Sequence, residues 1–284
     1  MTLYPAPAGA GILFKRVDVA PEQAIVPARF DAVCETRLGT TICNAHGVSV
    51  STVEHLMAAL WGAGVDNVVI ELNAPEVPIM DGSSEPFIFL LECAGLVQLA
   101  APRRMLRVLK AVEVREGQSV ARVEPNVEGD EGCVLDIVIE FDNAVIKRQI
   151  ASYDFRDVSF KQALSRARTF GFEHEVEALR KHGLALGGSL ENAVVVGKEG
   201  VLNKEGLRYN DEFVRHKALD CLGDLYLCGL RMDGRFSFTR PGHAINNVLL
   251  RALLADESAY VIVESGKALP AIFGSQALPV PAYA

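Results

Sequence analysis

The sequence predicts an α+β chain, with strands and a pair of helices before a boundary near residue 102 and strands with helices again after it. Three observations carry this prediction. Short runs with strand-like alternation recur on both sides of residue 102, as in Val65–Leu72 and Ser119–Glu124. Stretches with helical apolar spacing sit among them at 51–61, 85–95, 213–230 and from the 240–247 segment to about Ala255. Ala100-Ala-Pro-Arg-Arg104 has linker character and divides the chain into a 1–102 and a 103–284 domain.

Taken in order, Met1–Tyr4 reads as a strand already under way, and Gly11–Val17 and Val48–Val50 as further strands. Ser51–Trp61 reads as a helix closed by Gly62 and Gly64. Val65–Leu72 is a strand, and 73–84 is a Pro/Gly-rich loop. Glu85–Gly95 is a second helix that tolerates Pro86 at its start. Strands are expected at Leu106–Glu116, Ser119–Glu124 and Leu135–Phe141, and helices at Phe160–Arg168 and Glu173–His182. Gly183–Ser189 is a glycine-rich turn, Val194–Val196 a short strand, and Phe236–Phe238 a strand leading into the last helix. There is no internal repeat and no low-complexity segment.

Composition bounds the function. Half of the 284 residues are hydrophobic and 23% are charged, an ordinary globular balance. The formal net charge of −8 argues against a sequence-independent nucleic-acid binder, which needs a basic face. No apolar run reaches membrane-spanning length, and the first residues lack the basic start and apolar core of a signal peptide. Cys34, Cys43, Cys93, Cys133, Cys221 and Cys228 form no CxxC pair, so they read as reduced residues of a cytoplasmic protein. Walker A, GxSxG and GxGxxG patterns are missing, which leaves nucleotide hydrolysis, serine hydrolysis and dinucleotide binding without support.

The stretch Phe213–Asp224 is the most suggestive. His216, Asp220 and Asp224 are spaced i, i+4, i+8 along a helix. At about 100° per residue, each step of four advances only about 40°, so the three form one stripe. Leu219, Cys221 and Leu222 border it, and a carboxylate beside a buried face needs a partner. His and Asp one turn apart can grip one divalent ion, and their N and O donors suit zinc. A solvent-facing His–Asp pair is the commoner explanation of that spacing alone. In Ser51-Thr-Val-Glu-His55, Ser51 and Glu54 match a capping box, which alone could account for Glu54. His55 would complete a three-ligand site with a fourth position open to water, the catalytic form of a zinc site. Glu54 would then stand where a general base is needed. His243, after Pro241-Gly242, is either a surface histidine at a helix start or an imidazolium held by Asp224. Thr169 is either local structure or a hydroxyl donor to substrate, and Lys217 either a solvated lysine or an anion contact.

Together, Ser-Thr-Val-Glu-His-Leu (51–56), Pro-Ile-Met-Asp-Gly-Ser (78–83), Ser-Arg-Ala-Arg-Thr-Phe-Gly-Phe (165–172), Gly-Leu-Ala-Leu-Gly-Gly-Ser (183–189), the 212–225 stretch and Gly-His-Ala-Ile-Asn-Asn (242–247) carry a resemblance over essentially the whole chain. The sequence resembles the UDP-3-O-acyl-N-acetylglucosamine deacetylases, zinc enzymes of the committed step in lipid A synthesis. The resemblance implies two similar α+β domains, each a mixed sheet packed on helices, with the active site at their interface. It implies His55, His216 and Asp220 as zinc ligands, Glu54 as the base that activates water, and His243 oriented by Asp224 as general acid. Thr169 would help polarise the acetamide carbonyl, and Lys217 would lie in the pocket. It further implies Phe141 against uracil, Phe170 in the substrate site and Arg240 near the pyrophosphate. Phe170–Val195 resembles an insert forming an acyl passage, with Val176, Ala185, Leu190 and Val195 as lining. The implied substrate is UDP-3-O-acyl-N-acetylglucosamine, for a monomer in the bacterial cytoplasm with no nucleic-acid partner and no transmembrane segment.

Two departures stand out. The family usually has a lysine in the hairpin that here reads Glu116-Gly-Gln-Ser119, which puts a diphosphate contact there in question. The family also begins with one more strand and a Gly-x-Gly-Leu-His turn, and this chain starts after both. An edge with unpaired backbone groups is therefore expected at the first strand, together with a longer natural protein. Two other readings compete: a metal-dependent deacetylase of another acylated sugar, and a non-catalytic relative that binds a nucleotide-sugar or an acyl-carrier partner. The second should have lost a ligand or the base, and all are present.

Overall fold

The computed structural model describes residues 1–265 apart from 128 and 182–184. The expected helix end at His182, the first residues of the 183–189 turn and the stretch 266–284 lie outside the described residues. The architecture is α+β.

Residues before 103 form strands β1 (Thr2–Pro5), β2 (Ile12–Arg16), β3 (Ile25–Pro27), β4 (Val33–Glu35), β5 (Thr41–Cys43) and β6 (Ser49–Val50). Helix α1 (Glu54–Ala63), strand β7 (Val68–Leu72) and helix α2 (Glu85–Ala94) follow. One sheet has the order β1-β7-β2-β3, with β2 and β7 parallel. Ile12, Phe14, Val68, Ile70 and Leu72 alternate into the core, the period-two pattern that half-buried strands require. Among the described residues strand β1 pairs only with β7, at the edge of this sheet. Strands β4, β5 and β6 make a small antiparallel sheet.

The rest comprises β8 (Arg103–Val108), β9 (Val112–Glu116), β10 (Ser119–Glu124), β11 (Cys133–Glu140), β12 (Arg148–Asp154), α3 (Phe160–Ala163), β13 (Phe170–Phe172) and α4 (Glu173–Lys181). It continues with β14 (Val194–Val196), α5 (Glu212–Leu225), β15 (Arg231–Thr239), α6 (His243–Ala255) and β16 (Tyr260–Ser265). Strand β15 is the spine of a seven-stranded sheet. Its first residues pair with β8, and the remainder lies between β11 and β10. Leu135, Ile137, Phe236, Phe238, Ala121 and Val123 bury its inner face beneath α5 and α6.

Several expected elements differ. The single strand Leu106–Glu116 is two, because Leu109 N–H donates to Ala259 O and the chain leaves β8 for a new partner, β10. The expected helix 160–168 stops at Ala163, where Arg168 is drawn instead to Glu212 on α5. The helix from 213 gives way after Leu225 to one tight turn closed by Gly229. Strands β12, β13 and β16 carried no clear alternation signal. Gly64, not Gly62, closes α1, in the left-handed conformation usual for such caps. Gly62 lies inside the helix, where a Cβ would sit 2.1 Å from the Phe160 ring, so glycine there answers to packing.

Helix α1 is buried along its whole length, so it serves as a core element against α5. A Cβ on Gly223 would lie 2.0 Å from the backbone oxygen of Glu54. That bare glycine lets the two helices touch backbone to side, and it sets the first turn of α1 against the middle of α5.

Candidate metal centre and active site

Three of the residues singled out above come together at this helix contact. His55 from α1 and His216 and Asp220 from α5 are all buried, and their ligand atoms lie within 4.8 Å of one another. His216 Nε2 is 3.2 Å and His55 Nε2 3.6 Å from Asp220 Oδ1. Two ligands each about 2.0–2.1 Å from a tetrahedral ion stand roughly 3.3–3.4 Å apart, so the spacing fits a shared ion. Asp220 Oδ1 is buried without a hydrogen-bond partner among the described residues, an orphaned anionic acceptor that a cation would satisfy. Its other oxygen accepts from Lys217 Nζ at 2.8 Å.

The three side chains are also in a form that could bind a cation. Burial and the neighbouring His216 push the His55 pKa down to about 3, and burial lowers that of His216, so both rings are neutral. Burial works to raise Asp220, but His216, Lys217 and His243 outweigh it and hold the carboxylate well below its usual range. His216 Nδ1 faces Ala167 O at 3.0 Å, so its protonated nitrogen points to backbone and Nε2 is left free. The early end of α3 places that carbonyl. Arg168, itself buried, is fixed by the fully buried Glu212 carboxylate, which also takes the Arg168 N–H.

Glu54 faces this trio from the first turn of α1. Its Oε2 accepts the backbone N–H of Thr40 at 2.9 Å, and its Oε1 is 4.0 Å from His243 Nε2. The capping box that could have accounted for Glu54 does not form: no side chain caps α1, and the Ser51 hydroxyl accepts from Thr41 instead. Burial, with Asp224 and Asp220 nearby, raises the Glu54 pKa to about 7. His243 Nδ1 lies 2.9 Å from Asp224 Oδ2. Burial opposes its charge, but Asp224 and Glu54 outweigh this and raise its pKa to about 9. A carboxyl group and an imidazole, both with raised pKa values, thus face each other beside the trio.

Two supports escaped the sequence reading. Thr40 donates its hydroxyl to Asp224 Oδ1 at 2.5 Å, and Asn246 donates to Asp224 Oδ2 at 2.8 Å. Asn246 stands one helical turn beyond His243, a spacing that could have marked it. Nothing local marks Thr40, which reaches the site through a loop.

The remaining residues are placed as follows. Thr169 is half-buried; its N–H donates to Gly82 O, its carbonyl accepts from Val194, and its hydroxyl has no partner among the described residues. Phe170 lies beside His216, with ring centroids 6.3 Å apart, and Lys217 Nζ stands 5.7 Å over its ring. Phe141 packs edge-on against Phe170. Arg240 is held by Glu140 at 3.0 Å and by Gln118 of the lysine-less β9–β10 hairpin. Val176 is half-buried on α4, Ala185 and Leu190 are exposed on the following turn, and Val195 is half-buried in β14.

A sequence model described as UDP-3-O-acyl N-acetylglycosamine deacetylase matches residues 1–255. A UDP-3-O-acyl-N-acetylglucosamine deacetylase of Neisseria gonorrhoeae is 49% identical over 267 residues, covering 93% of this chain and 86% of the relative. One of Neisseria meningitidis serogroup C is 50% identical over 270 residues, with the same coverage. By both measures the chain belongs to the UDP-3-O-acyl N-acetylglycosamine deacetylase family.

Proposed function

We propose that the chain hydrolyses the acetamide of UDP-3-O-acyl-N-acetylglucosamine to the free amine and acetate, a step of lipid A biosynthesis. The observation that carries this reading is the buried His55–His216–Asp220 trio with its orphaned oxygen, faced by Glu54 and His243, in a member of this family. Two imidazoles and a carboxylate, three ligands of the kind catalytic zinc sites use, favour zinc. Such an ion supplies Lewis-acid polarisation and makes water acidic near neutral pH.

The chain's own residues do the rest. Glu54, aimed by the Thr40 N–H, takes the proton of the attacking water. The Thr169 hydroxyl is free to donate to the developing oxyanion. His243, charged and oriented by Asp224, gives its proton to the departing amine. Lys217 holds Asp220 and adds positive charge to the pocket. Phe141, Phe170 and Arg240 form the side on which the nucleotide would lie, and Val176, Ala185, Leu190 and Val195 the side for the acyl chain. No helix among the described residues is long and apolar enough to cross a membrane. By the family resemblance we take the enzyme as a cytoplasmic monomer.

The test is incubation of the metal-loaded protein with UDP-3-O-acyl-N-acetylglucosamine, with UDP-N-acetylglucosamine and other acylated amino sugars alongside. Stoichiometric amine and acetate from the first alone supports the reading. Turnover of another acylated sugar with the first untouched would replace it.

A further inference from the structure

Six non-glycine residues among those described have a positive φ: Leu38, Thr52, Met80, Lys147, Ala185 and Arg240. Four of them stand just ahead of a residue that builds the site. Leu38 (φ 64°) precedes Gly39-Thr40, which holds Glu54 and Asp224. Thr52 (φ 58°) precedes Glu54-His55, Met80 (φ 55°) precedes Gly82, which binds the Thr169 N–H, and Arg240 (φ 52°) precedes His243. Left-handed backbone is disfavoured for any residue with a Cβ, and for a β-branched one it is a genuine outlier. Such conformations persist only where their surroundings over-determine them, and they gather at functional sites.

Thr52 shows what does the determining. The chain must turn from β6 into α1 within three residues, from Val50 to Glu54. Before the turn, Ser51 N–H donates to Pro75 O and Ser51 O accepts from Val77 N–H. After it, Val53 N–H donates to Thr40 O, and the Val53 side chain is fully buried. At the turn itself, the Thr52 hydroxyl donates to Glu76 Oε1 at 2.8 Å. The backbone is therefore pinned on both sides of one strained residue, and that residue is stiff at χ1.

From this we infer that Thr52, locked by Glu76, is a positioning residue: its strained left-handed turn fixes the rotation and height of the first turn of α1, and so the places of Glu54 and His55. Glycine adopts a positive φ freely but also many other conformations, so it relieves the strain and loosens the aim. Asparagine tolerates the left-handed region and can still donate to Glu76.

The inference rests on the deacetylase reading for its kinetic arm only, since ion binding is measured separately. Thr52→Gly, Thr52→Asn and Glu76→Ala are compared with the unaltered protein for melting temperature, competition for Zn2+ against a chelator, and kcat and KM. Thr52→Gly should melt no lower than the unaltered protein, hold Zn2+ at least about fivefold more weakly and lose about tenfold in kcat at unchanged KM, the loss expected of misplaced catalytic groups. Glu76→Ala should share the loss of kcat, and Thr52→Asn should recover most of it. Thr52→Gly with undiminished Zn2+ affinity and kcat would overturn the inference and leave Thr52 a tolerated strain. If the unaltered protein releases no acetate, the deacetylase reading fails, and the Zn2+ affinities still decide the role of Thr52.

Discussion

His243 Nε2 stands 4.0 Å from Glu54 Oε1, across a gap that neither side chain closes. Each is held from behind, Glu54 by the Thr40 N–H and His243 by Asp224. A base and an acid fixed in this way can serve opposite ends of one bond cleavage without neutralising each other through a direct hydrogen bond.

Glu54→Gln keeps an oxygen to accept the Thr40 N–H while removing the carboxylate. The variant should keep its bound ion and its melting temperature, and kcat should fall about 10²–10⁴-fold, the usual share of general acid–base catalysis. Rapid kinetics on protein of verified metal content checks this. Near-normal turnover would move the base elsewhere.

His216→Ala removes one of two neutral imidazoles beside the orphaned Asp220 oxygen. Elemental analysis should show loss of the ion from the purified variant. In the unaltered protein, a chelator should lower the melting temperature, because an ion at a hundred times its dissociation constant contributes about 2.7 kcal/mol to the folded state. A variant that retains a full equivalent of ion would take His216 out of the ligand set.

The proposed mechanism requires Glu54 ionised and His243 protonated, so kcat/KM should be bell-shaped in pH. The acid limb follows Glu54, whose pKa near 7 in the metal-free molecule a bound cation would draw lower. The alkaline limb follows His243, raised to about 9. Asp224→Asn removes a negative charge that raises His243, so the alkaline limb should move toward lower pH. If it stays in place, another group sets it.

The same shift has a stability counterpart. The His243 pKa is higher folded than unfolded, so its contribution is fully present below about 6.5 and is lost as pH rises through about 9. In metal-free protein, the melting-temperature advantage of the unaltered chain over His243→Gln should shrink across that window. A constant difference between the two would show that the imidazolium contributes nothing.

The trio was partly legible because His216 and Asp220 lie on one helix, where spacing alone fixes their shared face. That His55 joins them depends on the contact made possible by Gly223, a tertiary fact with no local signature. Local rules misled where long-range charge or packing won. The Ser51–Glu54 pattern promised a cap, but Glu54 is turned to Thr40; the 160–168 pattern promised a helix, but Arg168 answers to Glu212, 44 residues on. The fold class was legible because strand alternation and helix spacing recur along the chain, whereas β12 and β13 depend on partners that the sequence does not mark.

Gly223→Ala should be costly in spite of its size. The added carbon would meet backbone, which cannot swing aside, so destabilisation at or above the usual overpacking range of about 1–3 kcal/mol is expected in urea unfolding. An unchanged midpoint would mean that α1 can shift without loss.

One member of the trio is carried on α1, within the first 102 residues, and two on α5, beyond them. An ion gripped by all three is therefore also a staple between distant stretches of chain. Any force that slides α1 along α5 must stretch a coordination bond. Ion affinity then becomes a gauge of how well the two parts of the molecule are seated, and a ligand that wedges the helices apart should expel the ion without ever touching it.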